Sequence, residues 1–152
     1  VGVQRDRVND WIQPLLDRII AEDFGGWFSL RLDTQAYLRS GDPKETFAIM
    51  FRNLRRTFRK EHDARSCSGG EGKDVTLALR AALMAYLKER GGERCKVVLM
   101  DEPFAHQDWA SRHATMKLLD RLFREGNQVI VSSHDPEILM LFDHRIDLGE
   151  VS

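Results

Sequence analysis

Three side chains able to manage phosphate chemistry stand at the ends of two apolar runs. "KVVLMDE" closes on the adjacent carboxylates Asp101 and Glu102, and "NQVIVSSH" closes on the imidazole of His134. Continuous apolar runs of this length read as buried parallel strands. Adjacent strand residues point to opposite sides, so one carboxylate can serve a metal while the other faces water. Open α/β sheets bind ligands in the crevice at the carboxyl ends of their strands, where all three groups would lie. Each group also has a plainer reading: Asp101-Glu102 as a strand-end turn, His134 as a structural histidine.

A second stretch, "RSCSGGEGKD", invites a phosphate-binding reading of another kind. Gly72-Lys73 suggests the P-loop G-x-x-x-x-G-K-[ST], but Cys67 stands where the first glycine belongs and Asp74 where a magnesium-binding hydroxyl belongs. The preceding "FRKEHDAR" is too charged for the buried strand that leads into a P-loop. What remains is Ser68-Gly69-Gly70 opening a helix. There the free N–H groups, the macrodipole and the Ser68 hydroxyl make a receptor for a phosphate-like anion, or serve only as an N-cap turn.

The elements that must position these groups follow from periodicity. Between the two apolar runs, Ala114, Leu118, Leu119 and Leu122 lie at helical spacing within 110–124 and "REGN" supplies a stop, giving a βαβ unit. Val75, Leu77, Leu79, Leu83 and Leu87 predict a helix over 72–90, closed by "RGGER". "HRIDLG" reads as a further short strand. In the first third, Val8, Trp11, Ile12, Leu15, Leu16 and Ile19 form a helical stripe interrupted at Pro14, and "WFSLRLD" alternates as a half-buried strand. In "GDPKETFAIMFRNLRRTFRK", Asp42, Pro43 and Glu45 form a helix-start signature, followed by Phe47, Met50, Phe51, Leu54 and Phe58 at 3/4 spacing, which predicts a helix. Its basic run, Arg52, Arg55, Arg56, Arg59 and Lys60, reads as a solvated face or as a contact for DNA or a partner.

Composition bounds the rest. A chain of 152 residues, 42% hydrophobic and 31% charged, suits one globular domain with a core, and a net charge of −1 gives no global pull toward nucleic acid or acidic membrane. Cys67 and Cys95 make no disulfide framework, which suggests a reducing, cytoplasmic setting. No apolar run is long enough to span a membrane. His62, His106, His113 and His144 have no partners at metal-ligand spacing, so no zinc site is read. Opening on Val1, the chain reads as a segment of something longer.

"SGGE" opening an alanine-rich helix, "VVLMDEP" followed by "FAHQD", and "VIVSSHD" resemble, in order, the signature motif, Walker B, D-loop and switch histidine of ABC-type ATPases. The flavour is that of SMC and double-strand-break repair ATPases, whose head is split by a long coiled coil. The resemblance covers Ser66 to about Leu148. It implies an α/β fold, a three-layer lobe with a mostly parallel sheet flanked by helices, forming one domain over residues 1–152 with a coiled-coil-proximal helix at 1–22. It also implies ATP and Mg²⁺ as cofactors. In such heads two copies sandwich two ATP molecules, each signature loop capping the nucleotide of the other. Asp101 would then hold magnesium through water, Glu102 would be general base, His134 would contact the γ-phosphate, Ser68, Gly69 and Gly70 would cap the opposite nucleotide, and Asp108 would couple the sites. A Walker A lysine and a Q-loop are missing, so a P-loop lobe is implied from another polypeptide or an upstream segment. Cys67 departs from the family's usual leucine, and His106 and Gln107 from its usual small and apolar residues, so of "FAHQD" only Asp108 is carried over.

Two other functions compete. One is a non-hydrolysing dimerisation module, against which the intact Asp101-Glu102 pair argues. The other is a nucleic-acid-binding module acting through the predicted basic helix at 44–60.

Overall fold

The computed structural model describes residues 2–37, 40, 43–57, 60–90, 96–147 and 149. Helix α1, Gly2–Glu22, runs through Pro14 without ending. Proline inside a helix costs about 3 kcal/mol. Leu15, Leu16, Ile19 and Ile20 are all buried, and at roughly 1.5–3 kcal/mol each they outweigh that loss. Trp11, placed on the same stripe by periodicity, is instead largely exposed beneath the Arg90 guanidinium, 4.1 Å from its ring. Gly25 and Gly26, at φ 67° and 64°, make the turn out of α1 that a side chain would resist.

Strand β1, Phe28–Tyr37, pairs antiparallel with β2, Pro43–Asn53, with Leu30 opposite Phe51 and Leu32 opposite Ile49. The short β3, His62–Asp63, adds to β2. The predicted helix over 44–60 is therefore overturned: residues 43–53 form strand β2, and 54–57 are bends, not helix. Phe47, Met50 and Phe51 fit a 3/4 stripe, but Ile49 and Phe51 also alternate, and "TFAIMF" has the aromatic and β-branched content of a strand. Pairing with β1 decides between the two patterns: Phe51 becomes fully buried and stacks on Phe28 at 5.7 Å. Asp42, Phe58 and Arg59, cited for that helix, lie outside the described residues, as does Cys95.

A single 3₁₀ turn, Ala64–Ser66, leads into α2, Gly69–Glu89, which buries Asp74, Val75, Leu77, Ala78, Ala81 and Ala82. Strand β4, Val97–Asp101, helix α3, Trp109–Arg124, and strand β5, Gln128–Ser132, form the expected βαβ unit, with β4 and β5 parallel. The short α4, Pro136–Leu139, follows. One core joins α1, the antiparallel strands, α2, α3 and the inner face of β4, and includes Phe28, Phe51, Leu77, Val98, Met100 and Leu118.

Two expectations about the sheet are corrected. Among the described residues the strands form two sheets, β1-β2-β3 and β4-β5, and not one mostly parallel sheet. A short link between β1 and β2 can only reverse the chain, whereas parallel pairing needs a crossover such as α3. "HRIDLG" forms no strand: His144 to Asp147 have no regular structure, with Ile146 exposed, and Leu148 lies outside the described residues. No described helix is long and apolar enough to cross a membrane.

Candidate functional site

Asp101 ends β4 beside its register partner Ser132, whose hydroxyl donates to Asp101 Oδ1 at 2.5 Å. Glu102 then leaves the strand in the left-handed region, at φ 44°. A non-glycine residue there stores about 1–3 kcal/mol and persists only where its surroundings hold it. Three groups do so. The Glu102 N–H donates to Ser132 O at 3.1 Å. Its carbonyl accepts from Lys73 Nζ on α2 at 2.6 Å. Its carboxylate accepts at Oε1 from the His134 N–H at 2.9 Å and from the His134 ring Nδ1 at 2.5 Å. Ser133 Oγ reaches the other oxygen at 3.4 Å. Asp101, Glu102 and His134 are thus brought together at the carboxyl ends of β4 and β5. The His134 side chain is 89% exposed and that of Glu102 27%. With Nδ1 donating to a carboxylate, Nε2 is the ring atom open to a further partner.

The other predicted residues gather at the start of α2. Ser68 is the N-cap, and with Glu71 it forms a capping box: the Ser68 N–H and hydroxyl both donate to Glu71 Oε2, at 3.1 and 2.8 Å. Burial pushes the Glu71 carboxyl up, but hydrogen bonds from Ser68 and Asn53 and the charge of Arg56 prevail and hold it below its ordinary value. A cavity of about 560 Å³ opens here, its lining including Ser68, Gly69, Gly70, Asp108, Arg55 and Trp27. Gly70 has a reason of its own to be glycine: a Cβ there would lie 2.9 Å from the His106 carbonyl oxygen. Asp108 caps α3, accepting from the Ser111 N–H at 2.8 Å, and this bond holds its carboxyl below the usual range. Arg55 lies over the Trp27 ring at 5.3 Å, and Arg56 pairs with Glu71 at 3.3 Å. Part of the basic run therefore faces this cleft.

The SbcC/RAD50-like, Walker B motif family model matches residues 39–121, more than half of the sequence. The chain belongs to the SbcC/RAD50-like family. It is 38% identical over 79 residues to the DNA double-strand break repair Rad50 ATPase of Thermococcus kodakarensis, covering 52% of this chain and 8% of that protein. It is 37% identical over 92 residues to the macrolide export ATP-binding/permease protein MacB of Bradyrhizobium diazoefficiens, covering 60% and 13%. Among solved structures, a chain from work on ATP-driven dimerization and DNA stimulated activation of SMC ATPases superposes with a TM-score of 0.66 at 20% identity, covering 90% of this chain and 75% of that one. The Smc head domain from Pyrococcus furiosus, with an extended coiled coil and bound to the C-terminal domain of ScpA, gives 0.60 at 19%, covering 89% and 30%. These likenesses show the fold, an α/β fold resembling the SMC head domain. Against the curated relatives the chain is short, spanning 5% of one and 30% of another.

In this SbcC/RAD50-like chain, periodicity and motif left several site residues unseen. Lys73 and Asp74 look like ordinary first-turn residues, yet one holds the Glu102 carbonyl and the other is fully buried. Gln107, set aside as a departure from the family, is buried beside Asp74. A charged residue one turn into an otherwise apolar helix face was the available signal for Asp74. Cys67 packs half-buried against the core, and burial pushes its thiol up to about 11, so it behaves as a small apolar residue in that slot.

Proposed function

We propose that this chain is the C-terminal half of an ATP-hydrolysing head, supplying signature motif, Walker B, D-loop and switch histidine to a composite site whose P-loop comes from another chain or segment. The observation that carries the reading is the pairing of Glu102 with His134 across the ends of two parallel strands, apart from a second, anion-suited cleft at Ser68.

Glu102 is the general base: its carboxylate is oriented by His134 and Ser133 and can polarise a water aimed at phosphorus. His134, with Nδ1 directed at Glu102, presents Nε2 to the γ-phosphate. Asp101 is the residue that would hold Mg²⁺, through water. A carboxylate with Oδ1 braced by Ser132 at the end of a strand suits an ion that takes few protein ligands and completes its shell from water and phosphate. Bound there, Mg²⁺ would neutralise charge on the phosphates. Ser68, Gly69 and Gly70 cap the nucleotide of a second head in an ATP-dependent dimer, and Asp108 couples the two sites across the interface.

A second observation favours a missing lobe. Parallel sheets are normally covered on both faces. Here Val98 and Met100 face the core, while Val97, Leu99 and Ile130 on the other face are 43%, 69% and 45% exposed. That apolar face, running up to Asp101, is where we place the P-loop lobe. We read residues 1–152 as a single domain with 1–22 as the foot of a coiled coil, acting in the cytoplasm. DNA is carried over as a proposed partner of the assembled head from the repair role in the name of the Thermococcus relative. Among its described residues the basic run contributes no DNA-reading helix, since 43–53 is a strand and Arg52 and Arg56 pair with Glu61 and Glu71.

The test is calorimetry of this chain with ATP and Mg²⁺, alone and with its P-loop lobe. Binding only in the presence of the lobe is expected, and tight binding by the chain alone would refute the composite site.

A further inference from the structure

A buried polar network joins α2 and α3 away from the hydrolytic groups Glu102 and His134. Asp74, in the first turns of α2, is fully buried, as is Thr115 on α3, and Gln107 is nearly so. The Asp74 carboxylate accepts from Gln107 Nε2 at 2.9 Å and from Ser111 Oγ at 2.8 Å. Thr115 Oγ1 in turn donates to Gln107 Oε1 at 3.1 Å. These contacts bracket Asp108. Gln107 precedes it, and Ser111 supplies the N–H that its carboxylate accepts. On the other side the loop's His106, held at φ 61°, sets its carbonyl against Gly70 with no room for a side chain between. Helices α2 and α3 already share an apolar core through Ala78, Ala82, Leu118 and Leu119, so packing alone does not call for a carboxylate there. Burial pushes Asp74 up to about 6, so its charge is harder to carry in the folded protein than in water, and the network it anchors supplies geometry.

We propose that Asp74 is a positioning residue for Asp108: through Gln107 and Ser111 it clamps the 106–108 loop to the start of α2, so that Ser68 and Asp108 meet the opposite head's nucleotide as one rigid unit. This rests on the reading of Ser68 and Asp108 as trans-acting groups.

The test uses the full-length protein with both lobes of its head. ATP-dependent head pairing, the KM and kcat for ATP, and amide exchange over 106–108 are measured for wild type, D74A, Q107L, D74N and S68R. Losing a hydrogen bond to a buried charge should weaken pairing and lower kcat about tenfold to a hundredfold in D74A and Q107L. KM stays near wild type and exchange over 106–108 accelerates, while D74N, which keeps shape and hydrogen-bonding groups, recovers most of what D74A loses. If D74A or Q107L does not fold, the isosteric T115V should show the same pattern more weakly. Wild-type pairing and exchange in the folded variants, in a protein whose S68R form fails to pair, would overturn the inference alone. Normal pairing by S68R would overturn the trans reading of the signature loop, and this inference with it.

Discussion

Replacing Asp74 by asparagine should change the pH dependence of stability by an amount that the structure sets. Asp74 titrates from an ordinary 3.8 when unfolded to about 6 when folded, because burial disfavours its charge more than Ser111 and Gln107 favour it. A raised carboxyl pKa means that the folded state binds the proton more tightly. The stabilisation is fully present below the unfolded value and is lost as pH rises through the folded one. About two pKa units at about 1.4 kcal/mol each give a loss of about 3 kcal/mol between about pH 4 and about pH 8. Asparagine does not titrate, and its amide can accept from one neighbour and donate to another. In urea denaturation of the head across that range, the stability of Asp74→Asn minus wild type should therefore climb by about 3 kcal/mol as pH rises, centred between the two pKa values. A difference that stays flat with pH, or that falls, would show that Asp74 is not held in the desolvated network described.

Glu102→Gln removes the base while keeping a group able to meet His134, so turnover should fall by roughly 10²- to 10⁴-fold with ATP binding and ATP-driven pairing intact. Undiminished turnover would make the Walker B assignment wrong. Lys73→Ala removes the charged hydrogen bond to the Glu102 carbonyl, of the kind worth about 1.5–3 kcal/mol. Releasing the left-handed Glu102 should lower kcat with little change in ATP affinity. Loss of ATP binding instead would restore the P-loop reading of "GEGKD".

How much of this was legible in the residues depends on whether a feature is local. The βαβ unit from Val97 to Ser132 was readable because continuous apolar strands and a capped amphipathic helix carry their signals within themselves. Ser68 and Glu71 declared a helix start, and "VVLMDE" declared where its carboxylates would emerge. Residues 43–53 were misread because their apolar positions satisfy both a helical and an alternating pattern, and only pairing with β1, a tertiary fact, separates the two. The same holds for Lys73, Asp74 and Gln107, whose partners lie on other elements. No local pattern of a lysine or aspartate names a hydrogen-bond partner about thirty residues away. "HRIDLG" has strand composition but no described neighbour to pair with.

The reading of Ser68 and Glu102 as groups serving different nucleotides is tested most directly by a mixed dimer. One head carries Ser68→Arg, the other a P-loop-lysine mutation in its partner lobe, and ATP hydrolysis by the mixture is compared with that of each mutant homodimer. In the trans arrangement both lesions fall on the same nucleotide, so the mixed dimer should keep one complete site and hydrolyse ATP while both homodimers are inactive. A mixed dimer as inactive as either homodimer would mean that Ser68 acts on its own head's nucleotide, and the composite site described above would be wrong.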